Sequence, residues 1–448
     1  MAGGAQDAAA PRLSKDSRSK RSAASQSQRA RIGLAMAGGG PLGAIYEIGA
    51  LAALAESLEG VDFTELEIYV GVSAGSFIAA GLANGITPTQ MCAAFIESDD
   101  PKAATAAAPI HRSEIFDPAL LLRPAFKEYW QRMMALPPLL AGAAWNYAVR
   151  PNSVMASFER LGRAIPTGVF SGSGIDRYLT KLFSREGRTN QFQHLRSTLR
   201  IVATDLDSGE SVTFGAPGHD DVPISLAVQA SAALPGLFPP VEIKGRAYVD
   251  GALRKTLHAS VALKHGVDLL LCLNPLVPFN ADAYFPPSGL AARLQHKEVP
   301  EQSPVVAGGL PTVLSQTFRS IIHSRMEVGM ERYRLQYPDS DIVLFEPNHS
   351  DPEIFFTNLF SYSQRRRLCE YAYQHTRSEL YRRRHEIGPM LARHGVHLRL
   401  DLLTDTKRTL VSGARPPLES LTLAGQAAAR LSETLDDLDR WLKSLQRS

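Results

Sequence analysis

Cysteine is scarce. Cys92, Cys272 and Cys369 are all that a chain of 448 residues holds. They are odd in number, far apart and without CxxC spacing, which excludes a disulfide framework and a zinc site and fits a reducing compartment. No cluster of His, Cys or acidic residues has ligand spacing, so no metal and no other cofactor is expected. An excess of one charge is also missing. The net charge of +3 is too small to mark a nucleic-acid partner, and none is expected. Long apolar runs are absent as well: the uncharged stretch between Arg132 and Arg150 is slightly short for a spanning helix and carries Pro137 and Pro138. Residues 1–30 are rich in Ala, Ser, Gln, Lys and Arg and lack the apolar region of a secretory signal. They read as a disordered basic tail, with contact to a membrane surface or a partner as the alternative. These absences point to the cytoplasm and leave peripheral membrane contact open.

What is present is ordinary globular composition, 44% hydrophobic and 21% charged, enough for one large domain with an appendage or for two moderate domains. Between Ile32 and Pro278, short apolar runs alternate with helical patterns. "IGLAMA" (32–37), "EIYVGV" (67–72), "LRIVATDL" (199–206), "SVTFG" (211–215), "RAYVDG" (246–251) and "VDLLLCLNP" (267–275) read as strands. "LGAIYEIGALAALAESL", "AGSFIAAGLA" and "ISLAVQASAA" read as helices between them. That alternation predicts an α/β sheet covered by helices on both faces. The rhythm breaks from about 100 to 170, which reads as an insertion. A Pro-rich linker then leads to a long helical pattern near 312–335 and a last strand, "SDIVLFEP" (340–347). The remainder reads as helices whose charge runs "QRRRL" and "YRRRHE" are solvated faces.

The chemistry begins at "RIGLAMAGGGPLGA" (31–44), where a strand runs into Gly38, Gly39 and Gly40, then Pro41, Leu42 and Gly43. The spacing matches a dinucleotide fingerprint, but the next strand should then end in a ribose-binding acid. It ends instead in Gly71-Val72-Ser73-Ala74-Gly75, and no Lys-Ser/Thr follows the glycines as a P-loop requires. Gly-x-Ser-x-Gly between strand and helix is the nucleophile-elbow pattern. Small neighbours let a serine take a strained turn that lifts its Oγ above the sheet, at the positive end of the following helix. The plain alternative is a tight turn in which Ser73 only caps the helix. If Ser73 attacks an ester carbonyl, the oxyanion needs backbone N–H donors. Pro41 has none, so Gly39 and Gly40 are the expected donors, with Leu42 or Ala74 as further candidates. A base is then required. His258, His265 and His323 follow the candidate acids in the order of a Ser-acid-His triad, yet none occupies a signature loop at a strand end. Asp250 does stand at the end of a strand, with Gly251 turning the chain away, and within reach of Ser73 it would complete a two-residue dyad. A turn-forming Asp-Gly is the alternative.

"AGGGPLG", "GVSAG" and "VDGA", in that order and joined by "QASAALPGLFPPVEIKGRAYVDGA", resemble the patatin-like phospholipase family over about residues 32–275. The resemblance implies a three-layer α/β/α sandwich with a nucleophile elbow, an inserted helical segment and a helical C-terminal extension. It implies Ser73 as nucleophile, Asp250 as its base, and the amides of Gly38, Gly39 and Gly40 as the oxyanion hole. Gly43, Gly71, Gly75, Gly251 and Ala252 complete the motifs. Many members carry Asp before the glycines and Arg before the last of them, where this chain has Ala37 and Leu42. The expected activity is hydrolysis of phospholipids or other acyl esters through an acyl-enzyme, and a catalytically silent lipid-binding or regulatory protein is the alternative. The expected division is a tail (1–30), a catalytic domain (31–350, insertion about 100–170) and a helical extension (351–448). Trp130, Met133, Met134 and Trp145 in residues 121–150 suit an interfacial segment or a lid, or else a small packed subdomain. The leucine spacing of 421–445 reads as a packing or pairing helix.

Overall fold

Apolar runs without an internal charge make the centre of the sheet because helices cover both of its faces. The computed structural model describes residues 30–96, 123, 124, 130, 133, 134, 137, 166–280, 304–307, 309–349 and 362–410. In chain order, β1 (Ile32–Met36) leads into α1 (Gly40–Ser57), the short β2 (Leu58–Glu59), β3 (Ile68–Val72), α2 (Ala74–Ala83) and α3 (Pro88–Ile96). After the insertion come α4 (Ser173–Phe183), β4 (Thr198–Asp205), β5 (Ser211–Phe214), α5 (Ile224–Ser231), β6 (Val241–Ile243) and β7 (Arg246–Asp250). The last part holds α6 (Ala259–His265), β8 (Leu269–Leu273), α7 (Gly309–Gln336), β9 (Asp341–Phe345), α8 (Tyr362–Arg382), α9 (Arg384–Ala392) and β10 (His397–Leu398).

Strands β9, β8, β1, β3 and β4 are parallel neighbours. β5 and β7 pair antiparallel with β4, and β6 pairs antiparallel with β7. Side chains alternate across this sheet as strand geometry demands. Leu34, Met36, Tyr69, Ile201 and Leu271 point into a core with α1–α5 and α8. Ala35, Val70, Val72, Val202 and Cys272 point into a second core with α6 and α7. Helix, sheet and helix are the three layers. The C-terminal helices are part of the first core, with Leu368, Cys369 and Tyr373 of α8 packed beside Ile45 and Leu51 of α1.

Several expectations need adjustment. α1 begins at Gly40, inside the glycine run, because Pro41 suits the first helical turn. β6 went unpredicted: three residues with the central Glu242 exposed make a weak pattern. The charge runs are not solvated throughout. Arg365 is buried and donates to the Phe95 carbonyl, while Arg383 bridges Glu379 and Glu386 and donates to the Leu344 carbonyl. The basic tail and the 421–445 pattern lie outside the described residues, as does most of the insertion. Within it, Trp130, Met133 and Met134 are exposed. Among the described residues, no helix is long and apolar enough to cross a membrane.

Candidate active site

One strand brings Ser73 and Asp250 together although they are far apart in sequence. Val202 of β4 pairs with Val72 at the end of β3, and Ala203 pairs with Asp250 at the end of β7. β5 occupies the other edge of β4 from Ile201 to Thr204. β3 and β7 therefore share one edge of β4, carboxyl end to carboxyl end. The residue that follows Val72 must meet Asp250.

At that meeting point Ser73 takes φ 52° and ψ −123°, a left-handed-side conformation that costs an L-residue about 1–3 kcal/mol. The flanking glycines explain how the chain makes the turn. A Cβ on Gly71 would lie 2.4 Å from the Ser76 Cα, and one on Gly75 would lie 2.5 Å from the Ala37 carbonyl oxygen. The Gly75 amide donates to that same carbonyl at 3.2 Å. Ser73's own amide donates to Ser231 Oγ at 2.8 Å, and Ser231 Oγ donates in turn to the Val202 carbonyl at 2.7 Å. Ser231, which fastens the elbow to β4, has no sequence signal beyond the small-residue helix end in which it sits.

Asp250 is buried, and its Oδ1 accepts the Ala252 amide at 2.8 Å. Burial pushes its carboxyl up to about 6, while hydrogen bonding from the Ser73 hydroxyl and the Ala252 amide pulls the other way. A carboxylate poised there is ionised at neutral pH and basic enough to take a proton. Gly251 turns away under β4, where a Cβ would come within 2.3 Å of the Val202 carbonyl oxygen.

The glycine run lies over the serine. A Cβ on Gly38 would be 3.0 Å from both Ser73 Cβ and Ala252 Cβ. Gly39 and Gly43 lie against Pro275, at the end of β8, and Gly40 opens α1 with φ 60°. The Gly38 amide leans toward the Thr256 carbonyl at 3.4 Å, whereas those of Gly39 and Gly40 have no acceptor among the described residues. Ala37 is fully buried and Leu42 packs against the first core, so the two departures from the family pattern are apolar packing positions here. One residue behind the loop escaped notice. Glu47 of α1 is fully buried, and burial holds its carboxyl well above the usual range, with the Ala37 backbone pulling the other way. An acid set in the middle of the apolar run of α1 is the available signal.

The histidines are elsewhere engaged. His265 pairs with Glu67 at 3.3 Å, and His323 lies 3.5 Å from Glu327. His258 is buried, and burial, with the Lys255 and Arg254 charges adding to it, lowers its ring to about 4. That ring is neutral at pH 7.

Solved structures similar to this chain include VipD from Legionella pneumophila, at 16% identity over 78% of this chain and 66% of that one, TM-score 0.33. The type III effector ExoU matches at 15% identity over 93% of this chain and 65% of that one, TM-score 0.30. Full-length ExoU with SpcU from Pseudomonas aeruginosa matches at 17% identity over 67% and 53%, TM-score 0.23. This chain thus spans less than two thirds of the length of each of them. At that identity and superposition the likeness speaks to neither substrate nor partner. The family model described as Patatin-like phospholipase matches residues 34–263, just over half of the chain, and that span holds Ser73, Asp250 and the glycine loop that lies over the serine. This chain belongs to the patatin-like phospholipase family.

Proposed function

We propose that this chain is a serine acyl hydrolase acting on lipid esters, with Ser73 as nucleophile and Asp250 as its base. The observation that carries the reading is the strained Ser73 set against a buried carboxyl whose proton affinity is tuned to about 6. Asp250 takes the Ser73 proton as Oγ attacks the acyl carbonyl. The carbonyl oxygen becomes an oxyanion, held by the Gly39 and Gly40 amides, with Gly38 and Ala74 beside them. Collapse breaks the ester C–O bond, and Asp250 returns the proton to the departing alcohol. Water then attacks the acyl-enzyme, Asp250 accepts the water proton, and the fatty acid leaves as Ser73 regains its hydrogen. Phospholipids are the first substrate class by family, with neutral lipids and lysolipids next. Exposed Trp130, Met133 and Met134 favour peripheral contact with the lipid surface through 121–150.

The test is hydrolysis of a chromogenic short-chain ester by the wild type, Ser73→Ala and Asp250→Asn, followed by phospholipid vesicles. Ser73→Ala should lose at least about a thousandfold in kcat/KM, and Asp250→Asn about a hundred- to ten-thousandfold. A wild type inactive on every acyl ester offered would leave the lipid-binding alternative, and full activity in either variant would overturn the dyad.

A further inference from the structure

Behind the turn that follows Asp250, on the face covered by α6 and α7, lies an open cavity of about 720 Å³. That volume falls in the range of small-molecule sites. Cations reach it from three segments: Arg254 and Lys255 from the turn, Lys264 from α6, Arg325 and Arg332 from α7. No carboxylate is among its lining residues. Arg254 is paired with Glu210 at 2.9 Å, but Lys255, Lys264, Arg325 and Arg332 make no ion pair among the described residues. Glu327, on the same helix, is turned to His323 instead. Thr256, on the inner wall, has a buried hydroxyl without a partner among the described residues.

Single exposed lysines are ordinary solvated charges. Unpaired cations converging on one concave wall are different, because they repel one another and focus a positive field that an anion relieves. Their number suits a group of higher charge density than a carboxylate, and phosphate oxygens accept from Lys and Arg alike. The apolar content of the wall adds a second condition. Met326, Met330 and Tyr333 form its floor, and α7 exposes Phe318, Ile321, Val328 and Leu335 outward. A phosphate that arrives with a hydrocarbon surface satisfies both.

We propose that this cavity binds the phosphate-bearing headgroup of an anionic phospholipid, separately from any ester presented to Ser73. The inference does not rest on the hydrolase reading. It places the bound phosphate beside Thr256, whose carbonyl faces the Gly38 amide.

Flotation of the full chain tests it, in a Ser73→Ala background so that no lipid is consumed. The probes are phosphatidylcholine vesicles with and without phosphatidic acid, and inorganic phosphate read by thermal protection. Each basic residue near an anionic bilayer is worth about a fivefold change in affinity, so Lys264→Gln/Arg325→Gln/Arg332→Gln should weaken phosphatidic-acid binding by about a hundredfold. The matched variant Lys181→Gln/Arg196→Gln/Arg382→Gln, outside the cavity, should weaken it by less than about tenfold. Equal losses in the two variants, or none in the first, would overturn the site. Protection by inorganic phosphate without vesicle binding would overturn the lipid source in favour of a soluble phosphate. If the triple variant does not fold, Lys264→Gln alone carries the expectation at about fivefold.

Discussion

Asp250→Asn should make the protein worse at its reaction and more stable at once, and the two effects have separate causes. The carboxyl rises from an ordinary 3.8 to about 6 on folding because it is buried. The native state therefore holds the proton more tightly than the unfolded chain does. Below pH 3.8 both states are protonated and the carboxyl costs nothing. As pH climbs toward 6 the unfolded chain ionises first, and native stability falls. Above 6 the penalty is complete, at about 3 kcal/mol from a shift of this size. Asn cannot ionise, yet its side-chain oxygen can still accept the Ala252 amide. Denaturant unfolding at pH 8 should show the variant more stable than wild type by up to about 3 kcal/mol, and at pH 4 the gain should nearly vanish. Turnover of a chromogenic ester should fall by about a hundred- to ten-thousandfold, the usual worth of a positioned base. In the wild type, kcat/KM should climb about tenfold per pH unit below 6 and level off above it. A gain that is the same at both pH values would mean that the carboxyl is not desolvated. Turnover within tenfold of wild type would mean that the base lies elsewhere.

Ser73→Gly should abolish turnover and raise unfolding stability by about 1 kcal/mol, since glycine adopts the positive φ without strain. Glu47→Gln should raise stability at pH 8 and leave it nearly unchanged at pH 4, measured by the same unfolding curves, because burial raises that carboxyl too. His258→Gln should keep kcat/KM within about tenfold, since a ring whose basicity burial lowers to about 4, and which makes no hydrogen bond to Ser73 among the described residues, is too weak and too detached a base to take its proton. The same variant should flatten the acid limb of the stability profile. The native ring near 4 lies below its ordinary 6.5, so wild-type stability falls as pH drops through 6.5, and the loss, about 3 kcal/mol, is complete below 4.

The central strands and the elbow were legible because their signals are local. β1, β3 and β8 are unbroken apolar runs that buried parallel strands require, and Gly71 and Gly75 declare close backbone approaches on their own. The charge runs misled for a matching reason: composition shows a surplus of arginine but not where the free carbonyls are. Arg365 meets the Phe95 carbonyl across 270 residues, a distance no periodicity spans. Ser231 was hidden in the same way. Its hydroxyl serves Ser73 and Val202, and both contacts exist only once α5 is packed on β4. The cavity behind Thr256 was illegible too, since its cations come from three segments that the chain order keeps apart.

What makes the site is less the pair of motifs than the strand between them. β4 carries no residue that would draw notice as catalytic, yet it sets the distance between Ser73 and Asp250, the proposed nucleophile and base, by pairing consecutive residues, Val202 and Ala203, with the ends of two strands of opposite direction. Each residue of register is worth about 3.3 Å along a strand and inverts which face a side chain uses. A slip of one position on either β3 or β7 would therefore both separate Ser73 from Asp250 and turn one of them to the wrong side. Two contacts oppose such a slip. Ser231 bonds the Val202 carbonyl and the Ser73 amide together, fixing β3 on β4, while Thr204 Oγ1 donates to the Asp250 carbonyl at 3.2 Å, fixing β7 on β4. The strain at Ser73 is tolerable because the turn is held on both sides: its amide is tied through Ser231 to Val202 of β4, and the Gly75 amide is tied to the Ala37 carbonyl at the end of β1, so relaxing it would mean breaking bonds to two strands that the sheet's core fixes in register.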